Sequence, residues 1–297
     1  MTLTTFMQQL TNGISLGSLY ALIAIGYTMV YGILKLINFA HGDIFMMAAY
    51  FAFFAVVTFG LPWYFAFIIA IVLTGLLGMT IEFVAYRPLR SAPKISILIS
   101  AIGVSFLLEN LAVVLFGGRP KAFPTPKLFT SVVTIGGVSM QNLTFIIPVV
   151  TLIFLFLLLY LVNNTNVGMA MRAVSKDVDT ARLMGINVNR VISFTFGIGS
   201  MLAAVGAMLW CMKYPQLIAL MGMMPGLKCF IAAVIGGIGD IKGAVIGGFI
   251  LGIGEIMIVA FLPSLTGYRD AFAFIFLIVI LLFKPTGIMG KNLTEKV

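Results

Sequence analysis

Charge is what this 297-residue sequence has least of: Asp, Glu, Lys and Arg make up 9% of it, against 61% hydrophobic residues. A soluble domain carries roughly a quarter of its residues as charges, so a globule of this size could not be covered with solvated groups. Disorder is excluded by the same imbalance, because apolar residues far outnumber charges. Two cysteines, Cys211 and Cys229, make no disulfide framework, and a single histidine leaves no Cys/His cluster for structural zinc. No H-E-x-x-H is present, and a lone His41 without an evident nucleophile and orienting partner gives little support to an intramembrane enzyme. No Lys or Arg precedes Lys35, so the first apolar stretch lacks the cationic start of a cleaved signal peptide and is expected to remain as a membrane helix.

What is present are long apolar runs. No charge falls in 1–34, 44–81, 95–108, 128–171, 191–212, 243–254, 256–268 or 271–283. A spanning helix needs about 20 residues, and one helix over 44–81 would be about 57 Å long, so that run must fold back. Gly60-Leu61-Pro62-Trp63-Tyr64 supplies the break. The spacing predicts helices over 10–34, 42–60, 63–86, 95–116, 144–162, 191–212, 243–261 and 268–284, with a short glycine-broken segment over 217–238 that either spans or is re-entrant. The expected fold is an all-α polytopic membrane protein of about eight long transmembrane helices plus that segment, forming one domain over 1–297.

The 18 Lys and Arg exceed the 9 Asp and Glu, giving a net charge of +9. Nucleic-acid binding would need these cations gathered on one face, and they lie singly or in small groups between apolar runs. Placing the loops around Lys35, Arg87–Lys94, Arg172–Arg190, Lys242 and the tail from Lys284 on one side puts 12 of the 18 there. By the positive-inside rule that side is cytoplasmic, with the N-terminus outside and the C-terminus inside.

Two stretches place polar residues among glycines between apolar helices: Leu36–Asp43, with Asn38, His41 and Asp43, and Gly236–Gly243, with Asp240. Broken helices in corresponding positions of two halves often flank a transport path, although two ordinary turns would read the same way. Gly239, Gly243 and Gly247, Gly248 and Gly252, and Gly13 and Gly17 recur at helical spacing and suit close helix packing. Glu109 and Glu255 lie inside apolar spans and Glu82 near the end of one, where a charge is costly unless it faces the protein interior. Asn38, His41, Asp43, Glu109, Asp240 and Glu255 are therefore the candidate pathway residues. The alternative for the two glutamates is a hydrogen-bonded role between helices. Lys228 could snorkel outward.

Residues 163–190 form the longest polar loop. Asp177–Met184 reads as a short amphipathic helix, with Val178, Ala181 and Leu183 or Met184 near one face and Gly185 as its stop. Such a helix could dock in a partner's groove or lie on anionic lipid.

Asp179-Thr180-Ala181, three residues and Gly185 resemble the E-A-A-x-x-x-G coupling motif of ABC importer permeases, with Asp and Thr where Glu and Ala are usual. Leu19–Gly32, Ile37-Asn38-Phe39-Ala40-His41-Gly42, Ala85-Tyr86-Arg87-Pro88-Leu89-Arg90, Leu98–Gly103, Ala232–Gly239 and Lys284–Gly290 together resemble branched-chain amino acid ABC permeases of the LivH type. The resemblance spans nearly the whole chain. It implies a non-catalytic permease subunit of an ATP-driven importer in the bacterial cytoplasmic membrane, without cofactor or metal. It also implies a related permease or second copy beside it, a cytoplasmic ATPase dimer and an external solute-binding protein. Asp179, Thr180, Ala181, Arg182 and Gly185 would couple to the ATPase. The missing G-x-x-x-x-G-K-[ST] agrees that ATP is hydrolysed elsewhere. The same machine could carry urea, short amides or another small solute. An ion-coupled secondary transporter, with Asp43, Glu109 and Glu255 as coupling carboxylates, is the reading from a different class.

Overall fold

The computed structural model describes residues 2–135 and 137–290, most of them helical. Among these, seven helices are long and apolar enough to cross a membrane, and two shorter apolar helices of 17 and 14 residues accompany them. In chain order the α-helices are α1 (Leu3–Leu34), α2 (His41–Val57), α3 (Trp63–Ile81), α4 (Lys94–Phe116), a single turn α5 (Lys127–Thr130), α6 (Asn142–Asn164), α7 (Asn166–Lys176), α8 (Val178–Leu183), α9 (Val188–Lys213), α10 (Met223–Gly236), α11 (Ile241–Phe261) and α12 (Arg269–Phe283), the last span being counted from Pro263. The break after α2 falls where expected: Gly60 takes φ +62° and Pro62 caps α3. Beyond Ile81 the α3 backbone continues as a π turn over Glu82–Tyr86 and a tight turn over Arg87–Leu89.

The two ends of the bundle differ. One carries α7 and α8. The other carries a hairpin of β2 (Val132–Ile135) and β3 (Val138–Gln141), together with β1 (Lys121–Ala122) paired to β4 (Gln216–Leu217). Helix α1 is the axle. In its most apolar 18-residue window 94% of residues are buried in protein, against 17% in α6 and 6% over Pro263–Phe283. The poorly covered helices are as apolar as the covered one, so their outer faces suit lipid or another membrane subunit.

Helices α1–α4 and α9–α12 occupy equivalent places. Helix α1 packs on α11 as α9 packs on α3; α2 lies against α9 as α10 lies against α1; α4 flanks α2 as α12 flanks α10. In each set the second helix is short because it starts inside the bundle. His41, first residue of α2, puts Nε2 3.3 Å from the Ile23 carbonyl, a level about 16 Å back from the end of α1 at 1.5 Å per residue. Its neighbour Asp43 meets Ser105, halfway along α4. Helix α10 begins at the same depth and runs the opposite way. Glycine makes this crossing possible: a Cβ on Gly42 would meet the Gly222 carbonyl, and one on Gly222 the Gly42 carbonyl, with the same reciprocity between Gly26 of α1 and Gly199 of α9.

The pairing of breaks therefore differs from the sequence expectation. The counterpart of Leu36–Asp43 is the return over 214–222, which descends from β4 to mid-depth. Gly236–Gly243 is the closing turn between α10 and α11, with Gly237 at φ +111° and Gly239 at φ +98°. Both kinds of break need glycine and a polar cap, so composition alone cannot separate them. The 217–238 segment crosses half of the bundle as non-helical return and half as α10.

Candidate functional site

Where α2 and α10 start, the bundle holds a cavity of about 230 Å³ whose lining includes Tyr27, Asp43, Ser105, Glu109, Gly222 and Phe230. The joint before α2 delivers three of the expected residues here. Asp43 accepts a hydrogen bond from Ser105 Oγ. His41 lies behind it, donating Nε2–H to the Ile23 carbonyl and meeting the Tyr27 ring edge-on at 5.5 Å. Asn38 is buried beneath, its Oδ1 accepting from the Tyr86 hydroxyl at 2.7 Å. Glu109 joins from α4, one turn beyond Ser105. Among the described residues the buried hydroxyl of Tyr27, which lines this cavity, has no hydrogen-bond partner, and neither has the buried Asn38 Nδ2. Tyr27 lies in the Leu19–Gly32 stretch but is not among the candidate site residues of the sequence, and the half-helix geometry brings it to the cavity.

The Tyr86–Asn38 bond ties the α1–α2 joint to the end of α3. Tyr86→Phe leaves Asn38 with neither side-chain end paired. We expect it to cost about 1–3 kcal/mol, the usual price of stranding a buried polar group. It should lower the thermal midpoint of the purified protein, and an unchanged midpoint would show that the joint is held by other contacts.

Glu255 and Asp240 lie elsewhere. Asp240 Oδ1 accepts from the Gly243 amide at 2.8 Å and caps α11, which assigns it to helix initiation rather than to the cavity. Glu255 is fully buried nearer the hairpin end. Its Oε2 accepts from the Tyr20 hydroxyl at 3.1 Å, Lys228 Nζ at 3.1 Å and Arg269 Nε at 2.9 Å, and Lys228 continues to Asp270 at 2.6 Å. Lys228 thus turns inward instead of snorkelling. Glu82 is buried too, bonded to Arg90 and Ser193 with Arg87 beside it, and fastens the end of α3 to α9. Gly13-Ile14-Ser15-Leu16-Gly17 spells a G-x-S-x-G, but within the unbroken helix α1, where Ser15 Oγ accepts from Lys213 Nζ at 2.7 Å instead of facing a histidine. No group of three or more potential metal ligands occurs among the described residues.

The long polar loop is two helices where the sequence suggested one. Thr165 caps α7 through the Gly168 amide at 3.0 Å, and Met171 and Val174 face inward. The four-residue polar run at 163–166 hid this start, although Val167, Met171 and Val174 have helical spacing. In α8 the cap is Asp177, accepting from the Thr180 amide at 3.0 Å, the Thr180 hydroxyl at 2.8 Å and the Asp179 amide at 2.9 Å. These bonds, the Thr180 amide foremost, hold its carboxyl below the usual range. Asp179 and Arg182 form only an exposed pair at 3.9 Å. Ala181 is buried. Leu183 and Met184 do not share its face: they project with 88% and 77% of their surface uncovered, and Gly185 ends the element at φ +81°.

Residues 9–281 match the model of the family described as branched-chain amino acid transport system / permease component. The chain is 43% identical over 305 residues to the high-affinity branched-chain amino acid transport system permease protein BraD of Pseudomonas aeruginosa, covering 98% of each. Identity and coverage are the same for LivH of Escherichia coli K12, which bears the same description. Among solved structures, PsaBC from Streptococcus pneumoniae in complex with Fab contains a chain with the same fold: TM-score 0.51, 17% identity, 93% of this chain and 91% of that one covered.

Proposed function

The chain belongs to the branched-chain amino acid transport permease family, and from that premise we propose that it is the membrane-spanning, non-catalytic subunit of an ATP-driven ABC importer. Its cargo is a branched-chain or similar apolar amino acid, and its place is the bacterial cytoplasmic membrane. Residues 1–297 act as one permease domain, and 163–190 is its coupling loop at the cytoplasmic end. The hairpin end faces outward, with the solute-binding protein. A related permease, or a second copy, stands beside it, and an ATPase dimer sits beneath α8.

The observation that carries this reading is the pair of uncovered apolar side chains, Leu183 and Met184, presented on a short capped helix at the more cationic end. Exposed to water without a partner they are a cost; seated in a groove they are anchors. Asp179, Thr180, Ala181, Arg182 and Gly185 shape that element. Helix α9 follows directly and packs on α1, α2 and α3, so a shift of α8 reaches the mid-depth crossing at Gly26 and Gly199. Alternating access then amounts to biasing a two-state packing of the half-helices.

The cargo path runs along α10, past three cavities: one at the hairpin end lined by Lys228, the mid-depth one at Asp43, Glu109 and Phe230, and one of about 330 Å³ toward α7 and α8 that shares Phe230. Asn38 and His41 shape the middle cavity from behind, and Glu255 underlies the outer one.

The test is uptake of radiolabelled leucine into proteoliposomes holding the complete importer. Uptake should require ATP, stop when the ATPase carries an inactivating substitution, and persist when ion gradients are collapsed. Uptake driven by a proton or sodium gradient without any ATPase would replace this reading with an ion-coupled one.

A further inference from the structure

The cavity at the hairpin end measures about 390 Å³, within the range of small-ligand sites. Its walls are unlike. Trp210, Leu220, Met221 and Met224 make one side apolar; Lys228, Arg269 and Asp270 line the other. Buried Lys228 holds the charged wall together, 3.0 Å from Glu255 and 2.6 Å from Asp270. Two carboxylates face Lys228 and Arg269, and Lys213, held by Ser15, adds a third cation near Arg269. A molecule carrying one charge of each sign leaves that sum unchanged.

Two charged groups of the cluster reach the cavity with part of their surface open. Arg269 donates Nε–H to Glu255 at 2.9 Å and lies beside the Tyr214 hydroxyl, and its side chain is 30% exposed. Asp270 sets Oδ1 2.6 Å from Lys228 Nζ, with its side chain 54% exposed. A guanidinium fork matches a carboxylate, and a carboxylate oxygen matches an ammonium. Opposite them, two methionines adapt to apolar side chains of differing branching.

We propose that this cavity is a receiving site for a zwitterionic amino acid with an apolar side chain, its carboxylate on the Arg269 fork, its ammonium on Asp270 and its side chain between Trp210, Met221 and Met224. The assignment rests on the reading above that the hairpin end faces outward and that the cargo is an amino acid. It adds a second recognition step after release from the binding protein, one that screens for both charges at once.

The experiment uses the complete importer in proteoliposomes and a diazirine analogue of leucine as photolabel. Label is expected on the peptides carrying Trp210 or Met221–Met224. Leucine should compete at least tenfold better than isocaproate, which lacks the ammonium, or isoamylamine, which lacks the carboxylate. Asp270→Asn should lower labelling and uptake at least tenfold, and Asp270→Glu should restore part of both. Leu220→Trp, which narrows the apolar side without touching a charge, should reduce leucine uptake more than alanine uptake. If wild type takes up leucine with ATP while these peptides stay unlabelled, or while isocaproate competes as well as leucine, the site assignment falls and the function stands. It falls equally if Leu220→Cys crosslinks to the binding protein at a cavity that never labels. If wild type shows no ATP-driven leucine uptake, the functional reading fails, and the labelling decides the cavity on its own.

Discussion

Replacing Glu255 with alanine is expected to lower the thermal midpoint of the purified protein by on the order of 5–15 °C, and to do so more than any exposed charge change. The reason is the company Glu255 keeps. It is fully buried, and three donors from three different elements converge on it: Tyr20 of α1, Lys228 of α10 and Arg269 of α12. Removing it leaves Lys228, itself buried, with only the half-exposed Asp270 opposite among the described residues. Breaking a buried ion pair from one side costs about 3–5 kcal/mol, a large part of the roughly 5–15 kcal/mol that holds a typical domain folded. At roughly 2–4 °C per kcal/mol for chains of a few hundred residues, the midpoint must move visibly. The same physics predicts repair. Glu255→Leu combined with Lys228→Met removes both buried charges and should recover most of the loss, because well-packed apolar replacements of buried pairs are often neutral. A midpoint within a degree of wild type for Glu255→Ala would mean that water reaches the cluster. A double variant no better than the single would assign the loss to packing rather than to charge.

That cluster also marks where sequence reasoning stops. The charge gaps place most helix ends within a few residues, because a bilayer forces apolar length on any span: 95–116 is Lys94–Phe116 and 243–261 is Ile241–Phe261, whereas α1, expected from 10, starts at Leu3. Depth is a different matter. A helix that starts halfway through the bundle is as apolar as one that starts at its edge, so α2 and α10 were visible as segments but not as half-helices meeting at Gly42 and Gly222. Partnership was hidden for the same reason. Nothing local tells that Tyr20 will meet a carboxylate 235 positions later, or that Asp43 and Glu109 share a cavity while Glu255 sits apart from them. Asp240 and Asp43 looked alike as acids beside glycine, yet one caps a helix and the other borders a cavity. In the polar loop the Gly185 stop was legible because a positive φ demands glycine. The outward set of Leu183 and Met184 was not, since a six-residue helix is too short for periodicity to fix its faces.

Those two side chains carry the second large effect. Leu183→Asp together with Met184→Asp should leave the protein in the membrane at wild-type abundance, abolish co-purification of the ATPase and reduce ATP-driven uptake more than a hundredfold. Neither residue supports the fold, for both project into solvent, whereas Ala181 on the opposite side is the one that packs. Anchors in the centre of a protein interface each cost about 2–4 kcal/mol when lost, and two adjacent ones would together remove several powers of ten in affinity. A carboxylate in their place adds the desolvation of a charge to the loss of apolar contact. Gly185 offers the matching control. Among the described residues a Cβ there would meet nothing within 4 Å, so Gly185→Val acts through its backbone, and forcing a β-branched residue to φ +81° costs on the order of 1–2 kcal/mol. That variant should weaken docking by roughly tenfold and leave a measurable rate, which the double variant should not. If the ATPase still co-purifies in full with Leu183→Asp and Met184→Asp in place, α8 is not where energy enters, and the uncovered side chains must answer to a lipid surface. Loss of both docking and membrane abundance would instead mean that the loop folds against the bundle through these residues. The buried positions that do so, Met171, Val174 and Ala181, predict otherwise.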